Sequence, residues 1–176
     1  MKIFYPKKYI KSAYDIPFAE LYKKGYRGII FDIDNTLVEH GAPADERAVS
    51  LFSTLHQLGF ETLVLSNNKE ERVKSFADDV GTRYIHRAGK PRSKNYRKAM
   101  EIMGTEPITT LFVGDQIFTD IWGANRVGMT SYLVKQISKK EEIQIIVKRY
   151  LEKPILWLYR RSKKKGNNGV RTPTPR

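Results

Sequence analysis

Gly28-Ile29-Ile30-Phe31-Asp32-Ile33-Asp34-Asn35-Thr36-Leu37 is an apolar run that stops at two carboxylates two residues apart, with a hydroxyl following. A run this short and unbroken reads as a strand buried on both faces, as in a parallel sheet, with polar residues at its tip. Two further runs end in the same way: Thr62-Leu63-Val64-Leu65 before Ser66, and Thr110-Leu111-Phe112-Val113 before Gly114-Asp115. Helical patterns lie between them. Ala48, Leu51, Leu55 and Leu58 share one face ahead of Gly59, and Val73, Phe76, Ala77 and Val80 share another ahead of Gly81, glycine being a favoured residue just past a helix. A third pattern runs from about Lys94 to Met103, with Ala99, Met100 and Met103 inward and Gly104 as its stop. A short one from Ile121 to Gly128 feeds a strand near Ser131 to Val134. This alternation predicts an α/β fold with a right-handed, doubly wound, mainly parallel sheet and helices on both faces. Its ligand site lies past the carboxyl ends of the strands, where Asp32, Ser66 and Asp115 would meet.

A chain of 176 residues, 40% of them apolar, is sized for one domain with a substantial core. The absence of cysteine removes disulfides, thiolate zinc sites and a cysteine nucleophile, and suits a reducing compartment. No apolar run approaches the roughly 18 residues needed to cross a bilayer, and Met1 to Pro6 is too short for a secretory signal. A cytoplasmic location is expected. The net charge of +13 is concentrated at the two ends: residues 1–27 hold seven Lys/Arg against two acids, and residues 160–176 hold seven against none. The chain therefore divides into a basic lead over 1–27 packing on the core, a body over 28–159, and a basic tail over 160–176 that is expected to be disordered. Such ends either attract a polyanion or an anionic membrane surface, or simply solubilise the chain. Ser138 and Glu141 form a capping box for a last helix carrying Ile143, Ile146, Val147, Tyr150 and Leu151, which Pro154 is expected to break. Ile155 to Tyr159 then abut the basic run from Arg160 to Lys165. Trp157 either sits at a headgroup region or packs on the body.

Asp32 and Asp34 repel each other and raise each other's pKa unless a cation lies between them. A hard, oxygen-preferring ion such as Mg2+ resolves that conflict, and Asp115 and Asp120 supply further carboxylates from a neighbouring strand end. Spacing alone leaves alternatives open. Asp120 could cap a helix starting at Ile121, Ser66-Asn67-Asn68 could be a cap and turn, and Lys90 competes with Lys69 and Lys94 as the site's cation.

Asp32-Ile33-Asp34-Asn35-Thr36 after an apolar strand, and Gly114-Asp115 followed by Asp120, resemble the first and last signatures of the haloacid dehalogenase (HAD) superfamily. Ser66 at a strand end and Lys90 in Gly89-Lys90-Pro91 match the two middle ones in the same order. The resemblance implies that Asp32 attacks phosphorus to form an aspartyl phosphate, and that Asp34 protonates the leaving oxygen and then activates water. It implies Mg2+ held by Asp32, the backbone carbonyl of Asp34 and Asp115, with Asp120 helping. Ser66 and Lys90, with Asn67 as a further donor, would bind the phosphoryl oxygens, while Thr36 orders the loop.

Only 29 residues separate Thr36 from Ser66, and 23 separate Ser66 from Lys90. Each gap accommodates a helix and a strand rather than the cap domain that HAD enzymes often insert there. Asp32 to Val38, Leu65-Ser66-Asn67-Asn68, Lys90-Pro91, Gly114 to Asp120, Pro6 and Asp15-Ile16 look like the capless YqeG family of subfamily IIIA, which is similar to the phosphatidylglycerophosphatases. That resemblance implies a phosphorylated lipid headgroup as substrate, reached at an anionic membrane that the basic ends would favour. Two rival readings stand beside it: a soluble nucleotide, sugar phosphate or phosphoprotein as substrate, and a noncatalytic RNA- or ribosome-binding module. Nucleic acid is disfavoured as a partner, because acidic residues crowd the place an anion would have to approach.

Overall fold

The three apolar runs are the three central strands of one sheet. The computed structural model describes residues 2–138 and 152–162. The chain separates into two units, Met1–Glu141 and Glu142–Arg176, and the sheet belongs to the first. Its strands are β1 (Lys8–Ile10), β2 (Gly28–Phe31), β3 (Glu61–Leu65), β4 (Arg83–Ile85), β5 (Thr110–Gly114) and β6 (Thr130–Val134). They run in the order β1-β6-β5-β2-β3-β4, and every pairing is parallel. All four residues of β2 are buried, as a central strand covered on both faces requires.

The chain leaves β2 toward β3 and β4 through α2 (Glu46–Gln57) and α3 (Glu70–Val80). It then crosses through α4 (Ser93–Met103) to β5 on the other side of β2, and reaches β6 through α5 (Trp122–Arg126). With the right-handed crossovers usual for parallel strands, this reversal puts the two helix pairs on opposite faces. The core divides accordingly. Ile29, Phe31, Val64 and Leu111 join Ala48, Phe52, Leu55, Val73 and Phe76 in one cluster, together with Phe18 and Leu21 of α1 (Phe18–Lys23). Ile30, Leu63, Leu65 and Phe112 join Tyr96, Ala99, Met100, Met103 and Ala124 in the other. The reversal falls between β2 and β5, and open α/β sheets bind ligands past the strand tips at such a point.

Local signals set the helix limits. Asp45 caps α2 by accepting the Ala48 amide at 2.8 Å. Gly81 (φ 69°) and Gly104 (φ 65°) end α3 and α4 in the left-handed conformation, which glycine adopts without steric cost. The α3 stripe of Val73, Phe76, Ala77 and Val80 is buried as expected. The α2 stripe differs: Phe52 is fully buried, whereas Leu51 and Leu58 are only partly so. Positions 51 and 52 both lie one turn from 48 and 55, and the ring at 52 reaches Phe31 and Phe76, with centroids 5.4 and 6.4 Å away.

Glu141, the Ile143 to Leu151 stripe and the tail beyond Ser162 lie outside the described residues. Pro154 does not end a helix: residues 152–162 are helical around it. Proline's fixed φ suits a helix, and it disrupts only through its missing amide and its ring's clash with an earlier carbonyl. In this segment Trp157 is 57% exposed, with the Arg161 guanidinium 5.2 Å from its ring centroid. No described helix is long and apolar enough to cross a membrane.

Phe52→Ala is expected to cost about 3–5 kcal/mol of stability, and Leu51→Ala less than about 2 kcal/mol. Urea denaturation of the two variants checks this, and equal losses would contradict the assigned face.

Candidate active site

β2 ends by delivering Asp32 and β5 by delivering Asp115, while a wide π-helical turn over Ile117–Ile121 returns Asp120 to the same point. One carboxylate oxygen from each of the three lies within 4.8 Å of the others, and all three residues are buried. Asp120 is fully buried. Its Oδ2 accepts the Gln116 amide at 3.0 Å and its Oδ1 meets the Lys90 ammonium at 2.7 Å. It does not cap α5, whose N-terminal position is Ile121 with no side-chain cap. Two features make room for it. A Cβ on Gly114 would collide with the Asp120 carboxylate, which gives the glycine before Asp115 a steric reason. Tyr96, fully buried, donates to the Thr119 carbonyl at 2.6 Å and so fixes the turn from the α4 side.

Lys90 is the cation that enters this cluster. Its Nζ lies 2.6 Å from Asp32 Oδ1 and 2.7 Å from Asp120 Oδ1, whereas Lys69 and Lys94 are exposed. The reason is local: the Lys90 amide donates to Asn67 Oδ1 at 2.8 Å, and Asn67 Nδ2 donates back to the Lys90 carbonyl at 3.4 Å. Asn67 thus clamps the backbone of the lysine loop to the tip of β3. Burial pushes the Lys90 ammonium toward the neutral form, but Asp120 and Asp32 outweigh it and raise its pKa. Burial pushes the Asp32 carboxyl up to about 7, with Asp120 adding to the effect and Lys90 opposing it.

Ser66, at the tip of β3, is buried, and its Oγ accepts the Asn68 amide at 3.2 Å. The hydroxyl therefore shapes the turn while keeping its own proton to donate. The Thr36 hydroxyl stands 3.5 Å from Asp32 Oδ2 and 3.4 Å from Asp115 Oδ1, at the far edge of hydrogen-bond reach. The Asp34 carboxylate stands outside the three-carboxylate group. Its Oδ1 accepts the Gly41 amide at 2.7 Å and Arg72 Nη2 at 3.2 Å, and its Oδ2 accepts Asn68 Nδ2. Sequence reasoning missed Arg72 and Asn68 as site residues. Asn68 adjoins a recognised signature, but nothing in the spacing marks Arg72.

The three grouped carboxylates bring three negative charges against the single ammonium of Lys90. Buried, all-oxygen donors with excess negative charge suit a hard divalent cation, so these residues can hold a metal ion.

The sequence matches the haloacid dehalogenase-like hydrolases over residues 41–128, a span that begins just after Asp32 and Asp34. It is 33% identical over 156 residues to the probable phosphatase YqeG of Bacillus subtilis (strain 168), covering 88% of this chain and 91% of that one. It is 28% identical over 154 residues to phosphatidylglycerophosphate phosphatase 1, chloroplastic/mitochondrial, of Arabidopsis thaliana, covering 78% of this chain but 42% of that longer one. Among solved structures, the deoxy-D-mannose-octulosonate 8-phosphate phosphatase YrbI of Haemophilus influenzae superposes with a TM-score of 0.52. At 13% identity, over 63% of this chain and 69% of that one, this likeness is one of fold. The chain belongs to the haloacid dehalogenase-like hydrolases, as an enzyme of the phosphatase type. Its similarity narrows further to YqeG, whose length it nearly matches. Membership of an enzyme family sets aside the noncatalytic module, and a phosphatase acts on a phosphorylated substrate.

Two outcomes test the site. A divalent cation at about 100 times its dissociation constant should stabilise the wild-type chain by about 2.7 kcal/mol, seen as a rise in Tm that EDTA reverses. Asp115→Asn should lose that rise; an unresponsive wild type would sink the metal assignment. Gly114→Ala, by displacing the Asp120 carboxylate, should lower kcat by about 100-fold with circular dichroism unchanged, and wild-type activity in this variant would contradict the steric role of Gly114.

Proposed function

We propose that this phosphatase hydrolyses phosphomonoesters through an aspartyl-phosphate intermediate on Asp32, with Mg2+ as cofactor and phosphatidylglycerophosphate as substrate. The observation that carries the chemistry is the buried meeting of Asp32, Asp120 and Lys90, with Nζ to Oδ1 distances of 2.6 and 2.7 Å. A carboxylate at a strand tip, desolvated and fixed by a lysine, is a pre-oriented oxygen nucleophile. Asp32, Asp115 and the Asp34 carbonyl would hold Mg2+, with Asp120 assisting. When bound, the ion neutralises charge between the nucleophile and the phosphoryl group.

The protein groups divide the remaining work. Asp32 Oδ attacks phosphorus as the ester oxygen leaves. Asp34 gives that oxygen its proton, then takes one from the water that cleaves the aspartyl phosphate. Lys90 and the Ser66 hydroxyl donate to the phosphoryl oxygens, where charge spreads in the transition state. Asn67 serves this step by holding Lys90, and Asn68 and Arg72 orient the Asp34 carboxylate.

Similarity to the Arabidopsis phosphatidylglycerophosphate phosphatase supports the lipid headgroup. The short connections support it as well, since each of the two segments that a cap would occupy is spanned by one helix, α2 or α3. A site without a lid excludes water by means of a bulky substrate or the surface that bears it. The seven cations of residues 1–27 and the seven of residues 160–176 would favour an anionic leaflet by about 1 kcal/mol for each that reaches it, giving a cytoplasmic protein that works peripherally at the membrane.

A panel of phosphomonoesters tests this reading, with phosphatidylglycerophosphate in mixed micelles among them, assayed with and without Mg2+. The expected result is Mg2+-dependent release of phosphate from the lipid, reduced about 1,000-fold or more by Asp32→Asn, and binding to anionic vesicles that weakens with salt. Turnover confined to soluble esters and indifferent to vesicles would replace the lipid with a soluble substrate.

A further inference from the structure

Arg72, in the first turn of α3, belongs to no signature, and it has more donors than partners. Its Nη2 reaches Asp34 Oδ1 at 3.2 Å, on an oxygen that the Gly41 amide already approaches to 2.7 Å, while its Nε is buried with no hydrogen-bond partner among the described residues. Asn68 occupies the other Asp34 oxygen. Orienting Asp34 therefore uses one edge of a guanidinium that presents five N–H groups in a fork matched to phosphate. A buried N–H left without an acceptor is rare in native proteins and marks a side chain held for more than its own packing.

The position of Arg72 says what its remaining N–H groups would meet. Asp34 hands its proton to the ester oxygen, so the alcohol attached to that oxygen lies on the Asp34 side of the site, beside Arg72. A second arginine marks the same side. Arg87 is exposed and holds φ at 42°, a left-handed backbone that a residue with a Cβ seldom adopts and that gathers at ligand sites. Its amide donates to the Asn68 carbonyl at 2.9 Å. Asn68 thus joins the two arginines, through its side chain on Asp34 and its carbonyl on Arg87.

We propose that Arg72, with Arg87 at the rim, forms a subsite for a second anionic group on the leaving alcohol, so that the enzyme selects phosphomonoesters whose alcohol also carries a phosphate or phosphodiester. Arg72 keeps one Nη2 N–H on Asp34 and offers its Nη1 N–H groups, at the end of the guanidinium, to the second anion. The inference rests on the catalytic reading above, in which Asp34 faces the leaving group. It does not require a lipid: the acyl chains of phosphatidylglycerophosphate lie beyond the phosphodiester that Arg72 would read.

Two soluble substrates test it in the full-length chain without membrane or micelle: glycerol 3-phosphate, and glycerophosphoglycerophosphate, which adds a phosphodiester to the same alcohol. Wild type is expected to favour the second by about 10- to 100-fold in kcat/KM, as charge-assisted hydrogen bonds allow, with the difference lying in KM. Arg72→Met should abolish that preference, Arg72→Lys should restore part of it, and Arg87→Ala should reduce it by a smaller factor. Any loss that comes from a misoriented Asp34 lowers kcat on both substrates and cancels from the ratio. Equal kcat/KM for the two substrates in wild type, or an unchanged ratio in Arg72→Met, overturns the subsite. If Arg72→Met fails to fold by circular dichroism, the Arg72→Lys and Arg87→Ala ratios decide in its place, and unchanged ratios in both overturn the subsite. A parallel assay with p-nitrophenyl phosphate and Asp32→Asn identifies failure of the catalytic reading separately, as turnover that survives that substitution.

Discussion

A lysine ammonium held between two buried carboxylates is the interaction on which the site depends. Asp32, Asp115 and Asp120 approach within 4.8 Å of one another, and without a countercharge three such groups would not remain ionised together in a low-dielectric pocket. Lys90 offsets part of that repulsion at 2.6 and 2.7 Å. A buried ion pair of this kind contributes little net stability compared with an apolar core, yet losing one partner costs about 3–5 kcal/mol because the other is stranded. Its value is positional. It fixes the Asp32 oxygen, the nucleophile in the proposed reaction, on a rigid strand and leaves an excess of negative charge that a divalent ion can balance.

Much of the fold serves to bring that lysine home. β2 and β5 lie side by side in parallel register, so their tips present Asp32 and Asp115 together. Lys90 arrives from the other flank of β2, past β4, and the two hydrogen bonds between Asn67 and its backbone set where its side chain begins. Tyr96 and Gly114 admit and secure Asp120 beside it. In the proposed reaction, changes at these supporting positions would act on the chemistry without touching substrate.

The central sheet and the acidic cluster were legible in the sequence because their signals are local. Four apolar residues followed by an aspartate can hardly be other than a buried strand with a polar tip, and the α3 stripe repeats at helical spacing without interruption. Elsewhere the signal was missing or ambiguous. Leu51 and Phe52 satisfy the α2 period equally well, and the choice falls to Phe52 because a ring fills the gap between Phe31 and Phe76. The strand at Lys8–Ile10 has one charged residue in three and no apolar run, and exists through pairing with β6. Lys69, Lys90 and Lys94 differ by a few residues and no property of composition; the clamp by Asn67 separates them. Arg72 reads as an ordinary solvated helix residue until Asp34, 38 positions away, is found beside it.

The central claim is that the Asp32 carboxylate itself takes the phosphoryl group, and chemical trapping addresses it most directly. Borohydride added during steady-state turnover reduces an acyl phosphate to an alcohol, and peptide mass spectrometry then locates the reduced residue. The account predicts reduction at position 32 that requires both substrate and divalent cation. Sustained turnover with position 32 unmodified, or with the trapped acyl phosphate on another carboxylate, would contradict it.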